Sequence, residues 1–159
     1  MISLVRVDDR LIHGQITVGW VPYLQASRVI VVNDRLAVDP VLTAIVKAGG
    51  TTEIRIDVQG VAEAVSRFEA GEFEPGRVIV LFESLGDARK ALQAGMRFSV
   101  LNLGGIRGGR EGHRVGDAVS LSGDDLDDLR ELQKRGVAVE VRLMPGDRPD
   151  SLPQEESRR

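Results

Sequence analysis

Residues 6–15, RVDDRLIHGQ, hold the densest chemistry in the chain: two arginines, two aspartates, a histidine, a glycine and a glutamine. A histidine can be a core residue, a metal ligand, a general base or a covalent nucleophile, and its neighbours sort these uses. Gly14 allows backbone to come close to a ligand. If a helix starts there, the amides of Gly14, Gln15 and Ile16 are unpaired donors that suit an anion. Arg10 offers a planar fork to phosphate oxygens. Asp8 or Asp9 can hold one ring nitrogen of His13 and fix its tautomer; spacing does not separate the two. Together these groups suit a histidine that carries a phosphoryl group. The imidazole attacks phosphorus, while Arg10 and the amides take up charge on the equatorial oxygens. On spacing alone the motif is not decisive, because a loop histidine without a role reads the same.

Other chemistries fit less well. The second histidine, His113, is remote in sequence and there is no cysteine, so neither a His-x-x-x-His pair nor a thiolate zinc site can form. Asp8, Asp9 and Asp34 gathered around Mg²⁺ is a minor alternative. No metal and no cofactor are expected. G-x-x-x-x-G-K-[ST] and G-x-S-x-G are absent, and GGIRGG (104–109) does not fit G-x-G-x-x-G.

The elements that must position His13 are read from the apolar pattern. Short β-branched runs occur at 2–7, 28–33, 53–58, 77–82, 98–103 and 137–143. Several are apolar at nearly every position, as strands covered on both faces are. Helical patterns lie between them: from Gln15 to about Leu24, with Pro22 bending or ending it, then 39–50, 61–71, 84–95 and 122–136. Asp39, Ser84 and Ser122 are expected N-caps, and Gly49, Gly71, Gly95 and Gly136 are stops. The alternation predicts an α/β fold, three-layer αβα with a mostly parallel central sheet. In such sheets chemistry gathers at the carboxyl ends of strands, and His13 follows the first strand. Residues 102–117 read as a long glycine-rich loop whose backbone lies close to the His13 site. Residues 1–145 are expected to form one domain, and 146–159 a disordered tail.

Composition agrees with this class. A chain of 159 residues with 42% hydrophobic content can bury one domain's core, and a net charge of −3 gives no bulk argument for nucleic acid. The opening MISLVRVDD has no basic region before its apolar stretch, so it does not read as a signal peptide. No run approaches the ~20 apolar residues of a membrane span.

RVDDRLIHGQITVGW resembles the start of the IIB component of the mannose/fructose/sorbose family of the sugar phosphotransferase system. The likeness continues in VIVVND (29–34), RVIVLFES (77–84), VLNLGGI (100–106) and AVSLSGDDLDDLRELQKRGVAVEVRLMP (118–145), nearly the whole chain. The resemblance implies that His13 accepts phosphate on Nδ1 from a histidine of a IIA domain. It implies transfer to a sugar held by membrane IIC and IID subunits, hence a protein-phosphohistidine–sugar phosphotransferase. It also implies cytoplasmic residence, peripheral to the transporter, and homodimers in many members. By position, His13 is the phosphorylated nucleophile and Arg10 the charge stabiliser. Asp8 and Asp9 orient the site, Gly14 and Gln15 bind phosphate, and Asp34, Gly104 and Gly105 form its wall. Trp20 is expected in the core and His113 in solvent. Arg6, Arg10, Arg28, Arg107 and Arg110 are candidates for a IIA-facing rim. The alternative function is a regulatory phosphoacceptor that feeds no transporter, and a third is a binding module without phosphotransfer.

Overall fold

The computed structural model describes residues 1–109 and 111–152. Its centre is a parallel sheet of β1 (Ile2–Asp8), β2 (Arg28–Val32), β3 (Arg55–Gln59), β4 (Val78–Phe82) and β5 (Val100–Arg107), in the order β3-β2-β4-β1-β5. The far edge of β5 is shared. Its first half pairs in parallel with β8 (Ala138–Val141), and its end pairs with β7 (Val119–Leu121). Only the outer additions run antiparallel: β6 (His113–Val115) on β7, and β9 (Asp150–Ser151) on β8. This is the expected mostly parallel α/β arrangement.

Strand patterning follows from burial on both faces. All five residues of β4 are fully buried, because β1 and β2 flank it and helices cover it above and below. Alternate positions feed two cores. Val5, Val7, Ile30, Val32, Val78, Val80 and Phe82 pack toward α4 (Val61–Glu69), α5 (Leu85–Ala94) and α6 (Gly123–Lys134). Val29, Val31, Ile79 and Leu81 pack on the other face, against Leu11, Ile16, Trp20, Val21 and Leu36. Helix starts are fixed by side chains. Asp39 accepts the amides of Val41 and Leu42 to begin α3 (Pro40–Ala48), and Ser122 and Asp125 form a reciprocal box at α6.

Three expectations need correction, and one short helix was not foreseen. The helix after His13 is two pieces, a π-helical turn (Gln15–Trp20) and a short α1 (Val21–Leu24) that contains Pro22 near its start. Pro22 has no amide to give, and in a regular α-helix its ring would press on the carbonyl four residues back. The backbone widens there instead, with the Val21 amide reaching the Ile16 carbonyl. A short α2 (Asp34–Ala37), capped by Asn33, follows β2. Most of the supposed loop at 102–117 is strand. The chain also stays on the fold past 146: β9 extends the sheet, and the Leu152 amide bonds the Val139 carbonyl at 3.2 Å. The rest of the expected tail, 153–159, lies outside the described residues.

Candidate functional site

Period-two alternation sorts the opening motif. With Val5 and Val7 in the core under α4–α6, Leu4, Arg6 and Asp8 face the π-helical turn. Asp8 is fully buried, and the charged contacts of Arg6, Arg10 and His13 all meet on it. Its Oδ1 accepts from the Arg10 amide at 3.1 Å and from Arg10 Nε at 3.0 Å. Its Oδ2 accepts from Arg6 Nη2 and Arg10 Nη2, both at 3.1 Å, and lies 3.0 Å from His13 Nε2. Burial pushes the Asp8 carboxyl up, but the Arg10 hydrogen bonds and the Arg6 charge outweigh it and hold the group below the usual carboxylate range. An ionised Asp8 accepts a hydrogen bond from Nε2–H, so Nδ1 of a neutral His13 keeps its lone pair. The Gln15 amide approaches that Nδ1 at 3.4 Å, and the ring is 18% exposed, enough to be reached.

Arg6 is no rim residue. It is fully buried beneath the site, and sequence reasoning missed that role. Its Nη1 donates to Asn102 Oδ1 at 2.6 Å and to the Arg142 carbonyl at 2.7 Å, and its Nη2 also reaches Gln15 Oε1 at 3.1 Å. Its guanidinium lies over Trp20, 5.6 Å from the ring centroid. Burial pulls the Arg6 pKa below its ordinary value, opposed by Asp8; an arginine stays charged nonetheless. Strand parity was the signal available, since Arg6 and Asp8 must share a face. Asn102 and Arg142 carried none.

Gln15 is held through its side chain as well as its amide, because Oε1 also accepts from Arg10 Nη2 at 2.9 Å. The Ile16 and Thr17 amides are not free; both bond the His13 carbonyl. Gly14 is open, with nothing within 4 Å of where a Cβ would stand, so space is left beside its backbone. Leu11 completes the turn in the left-handed region at φ 54°, its side chain buried under the loop. Such backbone costs on the order of 1–3 kcal/mol and persists where packing over-determines it.

A β-bulge builds the opposite wall. Val7 pairs with Leu103, but Asp8 pairs with Gly105, so Gly104 is the extra residue. The bulge turns both glycines toward the charged cluster. A Cβ on Gly104 would stand 1.9 Å from Arg6 Nη2, and one on Gly105 would stand 3.1 Å from Asp8 Oδ1. Asp9 separates from Asp8 here. Its Oδ2 accepts from the amide of Arg107 at 3.0 Å and from Arg107 Nε at 3.1 Å, tying the turn to β5.

Other candidates lie elsewhere. Asp34 follows β2, which β4 separates from β1, roughly 10 Å across the sheet. Its Oδ1 accepts the Val61 amide at 2.8 Å and begins α4, so it is not in the wall. Arg28 stands at the amino end of β2, the edge away from His13, and pairs with Asp57. His113 is exposed on β6 and Trp20 is in the core, both as expected. Arg110 lies outside the described residues. Among the described residues, no group of three or more carboxylates and histidines could hold a metal, and no helix is long and apolar enough to cross a membrane.

Comparison with known proteins places the chain in a family. Residues 2–154 match the model of the PTS system sorbose subfamily IIB component. The sorbose-specific EIIB component of Klebsiella pneumoniae is 31% identical over 146 residues, covering 92% of this chain and 89% of that protein. The mannose-specific EIIAB component of Escherichia coli K12 is 31% identical over 147 residues, but this chain spans only 46% of its length. The solved IIBSor domain of the Klebsiella pneumoniae sorbose permease superposes with a TM-score of 0.85 at 30% identity, over 94% of this chain and 92% of that one. The chain therefore belongs to the sorbose subfamily of IIB components of the sugar phosphotransferase system, a family of phosphotransferases.

Proposed function

We propose that His13 is the phosphocarrier, taking a phosphoryl group on Nδ1 from a phosphohistidine of a IIA domain and passing it to a sugar bound by membrane IIC and IID subunits. One observation carries the reading: Asp8, ionised and buried, holds Nε2 and leaves Nδ1 as the ring nitrogen with a lone pair, met among the described residues only by the Gln15 amide at 3.4 Å. In the first step the Nδ1 lone pair forms a bond to phosphorus. The bond from phosphorus to the donor imidazole breaks, and its electron pair returns to that ring. His13 keeps its Nε2 proton throughout, and the positive charge that develops on the ring is opposed by Asp8. In the second step a sugar hydroxyl attacks phosphorus and releases its proton to solvent, and the Nδ1–P electron pair returns to His13. Arg10, held edge-on by Asp8 and Gln15, and the Gln15 amide are the donors for the equatorial oxygens.

The fused IIAB relative supports a IIA partner, because its name joins both components in one protein. Relatives named for sorbose, fructose, mannose and N-acetylgalactosamine support a hexose or a related sugar as final acceptor. The place of work is the cytoplasmic side of the transporter.

The test is transfer from a phosphorylated IIA protein, read by intact mass in alkali, with His13→Ala beside the wild type. One added phosphate on the wild type and none on the variant is expected. Phosphate on the variant, or none on the wild type with an active cognate donor, rejects the proposal.

A further inference from the structure

We infer that Arg107 is a second phosphate-binding cation, parked on Asp9 in the unphosphorylated chain and taken over by the phosphoryl group once His13 carries it. The inference rests on His13 being the phosphocarrier. It starts from a shortage of donors. A phosphoryl group brings a charge near −2 and three acceptor oxygens. Arg6 cannot meet it, being buried with both terminal nitrogens committed to Asn102, Arg142, Asp8 and Gln15. Arg10 is half spent, with Nε and Nη2 on Asp8 and Nη2 also on Gln15. Two arginines against one aspartate leave a single net positive charge at the site.

Arg107 is the cation placed to supply the rest. The bulge at Gly104 resets the alternation of β5, so Gly105 and Arg107 project to the same side, that of Asp8 and Arg10. The Asp9 amide bonds the Gly105 carbonyl at 2.9 Å, which holds the Asp9–Arg107 pair against the turn that carries His13. The pair is built to be given up. Arg107 is 79% exposed and meets Asp9 through Nε alone, and no partner is seen at either terminal nitrogen among the described residues. Such exposed pairs hold weakly. A dianion offering a two-pronged contact competes well for the free fork. The backbone contact from the Arg107 amide to Asp9 is independent of the side chain, so the strand stays in place while the guanidinium turns.

The test is ³¹P NMR of the full chain phosphorylated by a IIA donor, titrated with pH, for wild type, Arg107→Ala, Arg107→Lys and Asp9→Asn. A nearby cation favours the dianion. Arg107→Ala is expected to raise the phosphoryl titration midpoint by about half a unit, a threefold change in the proton-binding constant. Arg107→Lys restores part of the shift, and Asp9→Asn, which frees the guanidinium, lowers the midpoint. Each variant's spectrum is also checked for the wild-type fold, so that a loss of structure is told apart from the loss of the cation. Equal midpoints in wild type and Arg107→Ala overturn the inference and leave the phosphocarrier reading standing. A wild type without a phosphohistidine resonance, or a resonance that survives His13→Ala, removes that reading and this inference with it.

Discussion

Asp8 decides what His13 can be. The same carboxylate pins Nε2, neutralises Arg6 and orients Arg10, so its charge matters more than its shape. Asp8→Asn keeps the shape and removes the charge. Arg6 is then left buried without its counter-ion, which costs about 3–5 kcal/mol, and phosphate uptake by His13 falls on the order of 100-fold or more as the tautomer is lost. Urea unfolding and the transfer rate measure the two effects separately. A variant as stable as wild type with full transfer would remove Asp8 from both roles. The pH dependence has a definite sign. Arginine contacts hold the Asp8 carboxyl below its unfolded value, so its contribution to stability is complete above the ordinary aspartate pKa of about 3.9 and is lost as pH falls through the folded value. The stability gap between wild type and Asp8→Asn should therefore be widest near neutrality and close in acid. A gap that stays constant down to acid pH contradicts this assignment. Asp57, held low between Arg28 and Arg55 against the opposing effect of burial, adds to the acid sensitivity of the wild type and is unaffected by the substitution.

At the scale of elements, the turn after β1 works only because the neighbouring strand gives way. Gly104→Ala places a methyl where the Arg6 guanidinium lies, so Arg6 must leave its contacts or β5 must shift. The expected loss is roughly 1–3 kcal/mol, with slowed phosphate uptake although position 104 touches no reactant. Gly14→Ala, with open space around it, should fold as wild type does, and thermal melts of the two variants make the comparison. Much of this scale was legible in the sequence. The motif located the loop, the NLGG segment located its wall, and caps at Asp39, Ser84 and Ser122 set helix starts to within a residue. Less was legible where one residue depends on a distant one. Nothing near Asp34 announces that it will cap α4, and nothing near Arg107 announces Asp9. The π-helical turn and the bulge are one-residue departures from regular periods, and period counting averages them away. The glycine-rich stretch misled because glycine signals both loops and strands that must approach another group closely.

For the molecule as a whole, stability is graded from the centre of the sheet outward. β4 is paired on both sides and buried throughout, whereas β6 is a three-residue strand at an edge with His113 and Arg114 exposed. Amide exchange should be slowest in β4 and β1 and fastest in β6. Protection in β6 equal to that in β4 would contradict this gradient. Fold class was the most legible level, since runs such as RVIVV and VIVLF can sit only between two covered faces. The far end of the chain was the least legible, because a two-residue strand is held by pairing and leaves little imprint on composition. Trp20 belongs to this scale as well. It is the chain's only tryptophan, its ring centroid is 5.6 Å from the Arg6 guanidinium and 5.3 Å from that of Arg142, and its indole nitrogen is tied to the Leu143 carbonyl. The chain thus carries its own dye, set against two cations, one of which is joined through Asp8 to His13. If His13 is the phosphocarrier, light emitted by that single ring is expected to change in colour or brightness when the wild type is loaded, and an emission spectrum before and after loading checks it.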